Sequence, residues 1–170
     1  MKRIFVKVSV WIPVIIMIFL IHSFSNQNGE ESAGLSTKVA YIVVDIADEI
    51  GIVDAQDPQI RQMYVDNIHF YIRKAAHMSE YAFLAVLVYI ALFVDGVRFK
   101  LNGILAGSFV FLVSVSDELH QMYVPGRCGT YKDVIIDMCG CIVAIIICFC
   151  IDRRRKKCYI IRHRFSAYND

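Results

Sequence analysis

Arg73, His77 and Glu80 recur at i, i+4 and i+7, a spacing that stacks three side chains on one face of a helix. Downstream, Asp117 and Glu118 fall three to four residues before Gln121, and the turn Pro125-Gly126-Arg127 then delivers a guanidinium. Asp133 and Asp137 are again four apart and lead to Gly140, a residue that permits close helix approach in a membrane. Carboxylates crowded round one histidine offer ligands to a divalent cation, with oxygen favouring hard ions. Crowding also raises some carboxyl pKa values into the range that serves general acid–base work. Arg73 and Arg127 suit a bidentate grip on phosphate or carboxylate. The catalytic candidates are therefore His77, Glu80, Asp117, Glu118 and Asp133; the ligand-binding candidates are Arg73, Gln121, Arg127 and Asp137. The candidate cofactor is a divalent cation of unassigned identity. The plain alternative is an ion network that locks helices together, with Arg127 on Asp117 or Glu118 and His77 on Glu80.

The elements that carry these residues are membrane spans. The chain of 170 residues is 57% hydrophobic and 20% charged, with a mean hydropathy of +0.51. Soluble domains run nearer 45–50% apolar and about 25% charged. A net charge of +2 is too close to neutral for a nucleic-acid binder. Four windows reach the ~20 apolar residues that a spanning helix needs: about 8–24, 75–94, 101–123 and 134–151. No small-x-small cleavage site precedes Asn26, so the first is expected to be retained. The expected fold is all-α integral membrane: four transmembrane helices plus an outer amphipathic helix between the first two. Residues 1–152 form the membrane domain and 153–170 a basic cytoplasmic tail, read as a leaflet anchor.

Lys2, Arg3 and Lys7 flank the first span, and seven basic residues lie between Arg153 and Arg164. The connection 25–73 holds eight acids. Positive charge stays inside, so both termini are expected to be cytoplasmic, with only Arg73 and Lys74 voting otherwise. That placement puts every polar candidate at the outer end of its helix and predicts a pocket opening to the outer leaflet. A phosphate-bearing lipid headgroup fits that depth. Within 25–73, apolar residues recur at 35, 39, 42, 43, 46, 50 and 53, the stripe of a helix lying on the membrane or packing over the spans. Ser32 or Ser36 is its expected cap; after Asp57-Pro58 a second helical stretch, 59–72, leads into the second span. Cys139, Cys141, Cys148, Cys150 and Cys158 fall in the fourth span or inner tail and read as packing residues rather than disulfides. His22, His69 and His163 carry no helical partner set, and His120 lies off the Asp117/Gln121 face.

Taken as a set, Arg73, His77, Glu80 and Tyr81, then Asp117, Glu118 and Gln121 with Pro125-Gly126-Arg127, then Asp133, Asp137 and Gly140, resemble the VanZ-like family of small bacterial membrane proteins. Phe24-Ser25-Asn26-Gln27 with Ser32 and Ser36 resembles that family's polar opening after its first span. The resemblance covers about residues 20–145, and Asp137 departs from it, since the family usually has Asn there. It implies an integral membrane protein of the bacterial cell envelope, associated with antibiotic resistance to glycopeptides, teicoplanin in particular. It supplies no reaction. Three functions follow as expectations: a protein acting on lipids or lipid-linked precursors, a non-catalytic module that captures a lipidated ligand or an envelope protein, and a less favoured proton-coupled transporter. The expected partner is a membrane lipid or lipid-linked precursor and not nucleic acid; a homodimer is left open.

Overall fold

The computed structural model describes residues 2–166, with side chains for 4–99 and 101–154. The cationic side chains of Lys2, Arg3, Lys100 and the tail beyond Arg154, with Cys158 and His163, lie outside the described residues. Among the described residues six helices follow one another: α1 (Lys2–Ser9), α2 (Ile12–Ser25), α3 (Gly29–Glu49), α4 (Pro58–Asp95), α5 (Phe99–Gln121) and α6 (Tyr131–Ser166). There is no strand among the described residues. Four stretches are long and apolar enough to cross a membrane: Ile4–Ser25, Pro58–Asp95, Leu101–Gln121 and Tyr131–Arg154. This is an all-helical, multi-pass membrane protein with one additional helix between its first two spans.

Lipid supplies no hydrophobic force between helices, so the bundle holds by close packing of small residues. Ala85, Ala91, Ala106 and Ala144 are buried alongside Leu84, Val88 and Val110. A Cβ added to Gly140 would lie 2.1 Å from the Met78 carbonyl oxygen, so α4 and α6 touch there backbone to backbone. The bundle's outer surface is equally apolar: Ile15, Ile16 and Phe19 on α2 and Ile142 and Val143 on α6 are exposed.

Two local features depart from the sequence pattern. The first span is broken at Val10 and Trp11, because Pro13 lacks an N–H and its ring crowds the carbonyl four residues back. Helix α3 begins at Gly29, well before the expected serine caps; the Asn28 side chain caps it by accepting from the Glu31 N–H at 2.8 Å. Ser36 instead donates within the helix, to the Ala33 carbonyl at 2.9 Å.

The apolar stripe of α3 stays largely exposed rather than packing over the spans along its length. Leu35, Ile42, Ile46 and Ile50 are more than half exposed, whereas Ser36, Ala40 and Val44 on the neighbouring face are buried. Ala40 and Val44 pack with Val65, Ile68 and Ile72 of α4, making an antiparallel hairpin. Arg61 grips the Asp45 carboxylate with two hydrogen bonds of 2.7 Å, and Asp48 ties down the turn by accepting from the Ala55 N–H at 2.7 Å. Asp57 caps α4 by accepting from Gln59 N–H at 2.7 Å, with Pro58 in the first turn. From there α4 runs unbroken through 38 residues, so the stretch 59–72 and the second span are one helix.

Candidate functional site

The polar candidates converge at one end of the bundle, where α2 ends, α5 ends and α6 begins. Asp117, Glu118, Gln121, Arg127 and Asp137 are all less than 9% exposed. Burial of so many polar groups is costly unless each finds a partner, and the partners differ from those a side-chain-only reading expects. Arg127 pairs with neither Asp117 nor Glu118. Its Nε donates to the Gln27 carbonyl and an Nη to the Phe24 carbonyl, both at 2.8 Å. It thereby ties down two carbonyls at and just beyond the C-terminus of α2, and burial together with the nearby Arg73 guanidinium pulls its pKa below the ordinary arginine value. The same loop is held by Gly29 N–H donating to the Pro125 carbonyl at 3.1 Å. Gly126, at φ +73°, makes that turn.

The acids divide by their partners. Asp133 forms an ion pair with Lys74, so it spans α4 and α6 as a tie. Asp117 accepts from Gln121 Nε2 at 3.0 Å. Asp137, fully buried, accepts from Ser114 Oγ at 2.7 Å through Oδ2, and Glu118 accepts from the Thr130 N–H at 2.9 Å through Oε2. In each of these last two carboxylates the other oxygen is buried without a partner. His77 approaches Asp137 rather than Glu80, with Nδ1 3.9 Å from Oδ1, too long for a hydrogen bond. One donor atom each from His77, Glu118 and Asp137 lie within 4.8 Å of one another. Gly140 makes this possible: where its α-carbon meets Met78, the neighbouring His77 is brought against Asp137.

Beside this cluster a cavity of about 150 Å³ opens between α2, α3, α4 and the Arg127 loop. Arg73, His77, Glu80 and Arg127 form its polar wall, and Ile21, Leu35, Val39 and Ile72 its apolar wall. Arg73 has no hydrogen-bonded or ion-paired partner among the described residues. The structure thus sorts the nine candidates into three settings. Arg73, His77, Glu80 and Arg127 line the cavity; Glu118 and Asp137 join His77 behind it; Asp117, Gln121 and Asp133 are occupied with neighbours.

Three contacts escaped the sequence reading. Lys74 is the partner of Asp133. The rings of His22 and His120 lie 4.5 Å apart, joining α2 to α5, and nothing in the separate spans announces that meeting. Ser114 lies one turn before Glu118 on the face that meets α6, so the i, i+4 spacing was its available signal. Among the described cysteines there is no disulfide, and Cys141 is buried in the core as a packing residue. Neither a curated protein nor a solved structure matches the chain. Residues 10–152, which contain the whole polar cluster and cavity, match the VanZ/LLP1 family, and the chain is a membrane protein that belongs to it.

Proposed function

We propose that this VanZ/LLP1 protein binds the phosphate-bearing head of a membrane lipid or lipid-linked cell-wall precursor in the cavity beside Arg73. In doing so it changes exposure of the envelope target and confers low-level resistance to teicoplanin-type glycopeptides. One observation carries the reading. The cavity joins two guanidiniums, Arg73 and Arg127, to an apolar wall of Ile21, Leu35, Val39 and Ile72, which matches an amphiphile's anionic head and lipid tail. Arg127 is spoken for by backbone carbonyls, which leaves Arg73 as the cation available to a ligand. Positive charge at both ends of the chain puts the termini in the cytoplasm and the cavity at the outer leaflet of the bacterial cell membrane. The exposed apolar stripe of α3 then rests in the outer interface.

Expression in a susceptible Gram-positive host tests this. At equal membrane levels the wild type should lower teicoplanin susceptibility more than vancomycin susceptibility, and Arg73→Ala should lose the protection. Protection retained by Arg73→Ala would remove the cavity from the mechanism. Glu80 faces the same cavity and decides between turnover and capture: loss of protection in Glu80→Gln supports acid–base catalysis, and full retention supports a binding module. Sidedness has its own check, since Cys128 is exposed and should react with an impermeant thiol reagent in intact cells.

A further inference from the structure

Behind the cavity lie three buried donor atoms without partners, and they come from three different helices. Asp137 on α6 is wholly buried and Glu118 on α5 is 5% exposed. The Ser114 hydroxyl and Thr130 N–H each take one carboxylate oxygen, leaving Asp137 Oδ1 and Glu118 Oε1 free. His77 on α4 turns Nδ1 toward Asp137, also without a partner. A buried carboxylate oxygen left bare is costly, and two beside each other are costlier. Fixing one oxygen by a neighbouring donor while the other stays open is how metal-ligating carboxylates are oriented.

We infer that His77, Glu118 and Asp137 form a binding site for a divalent transition-metal cation, Zn²⁺ or Mn²⁺. Ligand bonds of about 2.0–2.2 Å put two donors on one ion some 3–4 Å apart. The His77–Asp137 separation of 3.9 Å already falls there, and all three donors lie within 4.8 Å. The charge closes as well: two carboxylates and a neutral imidazole balance one divalent ion, so the three ligands and the ion carry no net charge. An imidazole among the donors favours Zn²⁺ or Mn²⁺ over Mg²⁺ and Ca²⁺, which prefer oxygen alone. Three protein ligands leave a position for water or a ligand oxygen. Since each donor sits on its own helix, the ion also staples α4, α5 and α6. The site goes beyond the amphiphile reading and stands without it.

The test uses the untagged full chain purified in detergent, stripped with a chelator and titrated with Zn²⁺ or Mn²⁺, following bound metal by elemental analysis and the thermal midpoint in parallel. One ion per chain and a rise in midpoint on loading are expected. Asp137→Asn keeps the shape and the Ser114 hydrogen bond; with the charge gone, affinity should fall at least ~100-fold and the metal-dependent rise should vanish. Glu118→Gln should do the same if either variant alone folds poorly. Asp152→Asn, at the far end of the bundle, should bind as the wild type does. A chain whose midpoint ignores both ions, a preference for Mg²⁺ or Ca²⁺, or wild-type affinity in Asp137→Asn would each overturn the assignment. None of these outcomes depends on teicoplanin, so failure here leaves the amphiphile reading to its own test.

Discussion

The two ends of the helix bundle face the same constraint and meet it differently. At the end where α4 finishes, Trp11 Nε1 donates to Asp95 Oδ2 and Lys7 Nζ to the Asp95 carbonyl, both at 2.9 Å. Tyr89 donates to Asp152 at 3.2 Å, and Asn102 Nδ2 donates to the Tyr89 carbonyl at 3.1 Å. Each acid there has a donor. At the other end lie six of the seven buried side-chain polar atoms that lack a partner among the described residues: those of Ser25, His77, Tyr81, Glu118, His120 and Asp137, with Asn102 elsewhere. An ordinary structural network satisfies its members. The bundle pairs its acids at one end and leaves six groups without a protein partner at the other, where the proposed amphiphile and metal ion would bind.

The contrast can be broken by substitution, and the largest effect belongs to the backbone contact beneath the site. Gly140→Ala forces a methyl against the Met78 carbonyl and should cost about 3 kcal/mol in a thermal or denaturant melt. Gly34→Ala, in open space on α3, should instead be neutral or gain up to ~1 kcal/mol of helix propensity. Next comes the clamp on α2: Arg127→Ala should lose about 2 kcal/mol and speed amide exchange around Phe24–Gln27, with Arg127→Lys recovering less than half. The sharpest comparison is between acids. Asp95→Asn should destabilise by about 1 kcal/mol, because Trp11 and Lys7 favour the charged form. Asp137→Asn in the metal-free chain should be neutral or stabilising, because it removes an uncompensated charge; destabilisation equal to that of Asp95→Asn would erase the distinction between the ends. The smallest effect lies in the hairpin. Arg61 holds the Asp45 carboxyl below its ordinary pKa of 3.8. Its contribution is therefore complete above that value and fades as pH falls through the lower folded one. Protection factors of the hairpin amides, corrected for intrinsic exchange, should fall only on such acidification, and Asp45→Asn should flatten the response.

How much was legible depends on what a residue's partner is. The four spans were readable because lipid demands some 20 apolar residues wherever a helix crosses it, and the acids' gathering at one end followed from chain order alone. The face of α3 was not readable: Leu35 and Ile46 satisfy lipid as well as a protein core, so a stripe cannot say which it meets. The role of Arg127 was hidden because its partners are carbonyls of Phe24 and Gln27, which no side-chain alphabet spells. The break before Ile12 was written in Pro13 but drowned by the hydropathy around it. The start of α3 was written in Asn28 and Glu31, six residues ahead of the apolar pattern that drew the eye.

Helix α4 deserves to be considered as a mechanical part. Its 38 residues make a rod of about 57 Å at 1.5 Å per residue, against a hydrocarbon layer of about 30 Å. After Pro58 it contains neither glycine nor proline, so it has no joint between the hairpin braced on α3 and the half-buried His77. Any tilt of the hairpin would therefore be felt at the depth where α4 meets α6, beside Gly140. The rod fixes the angle between the hairpin face and His77, and a two-residue insertion after Tyr71 would turn one against the other by about 200°.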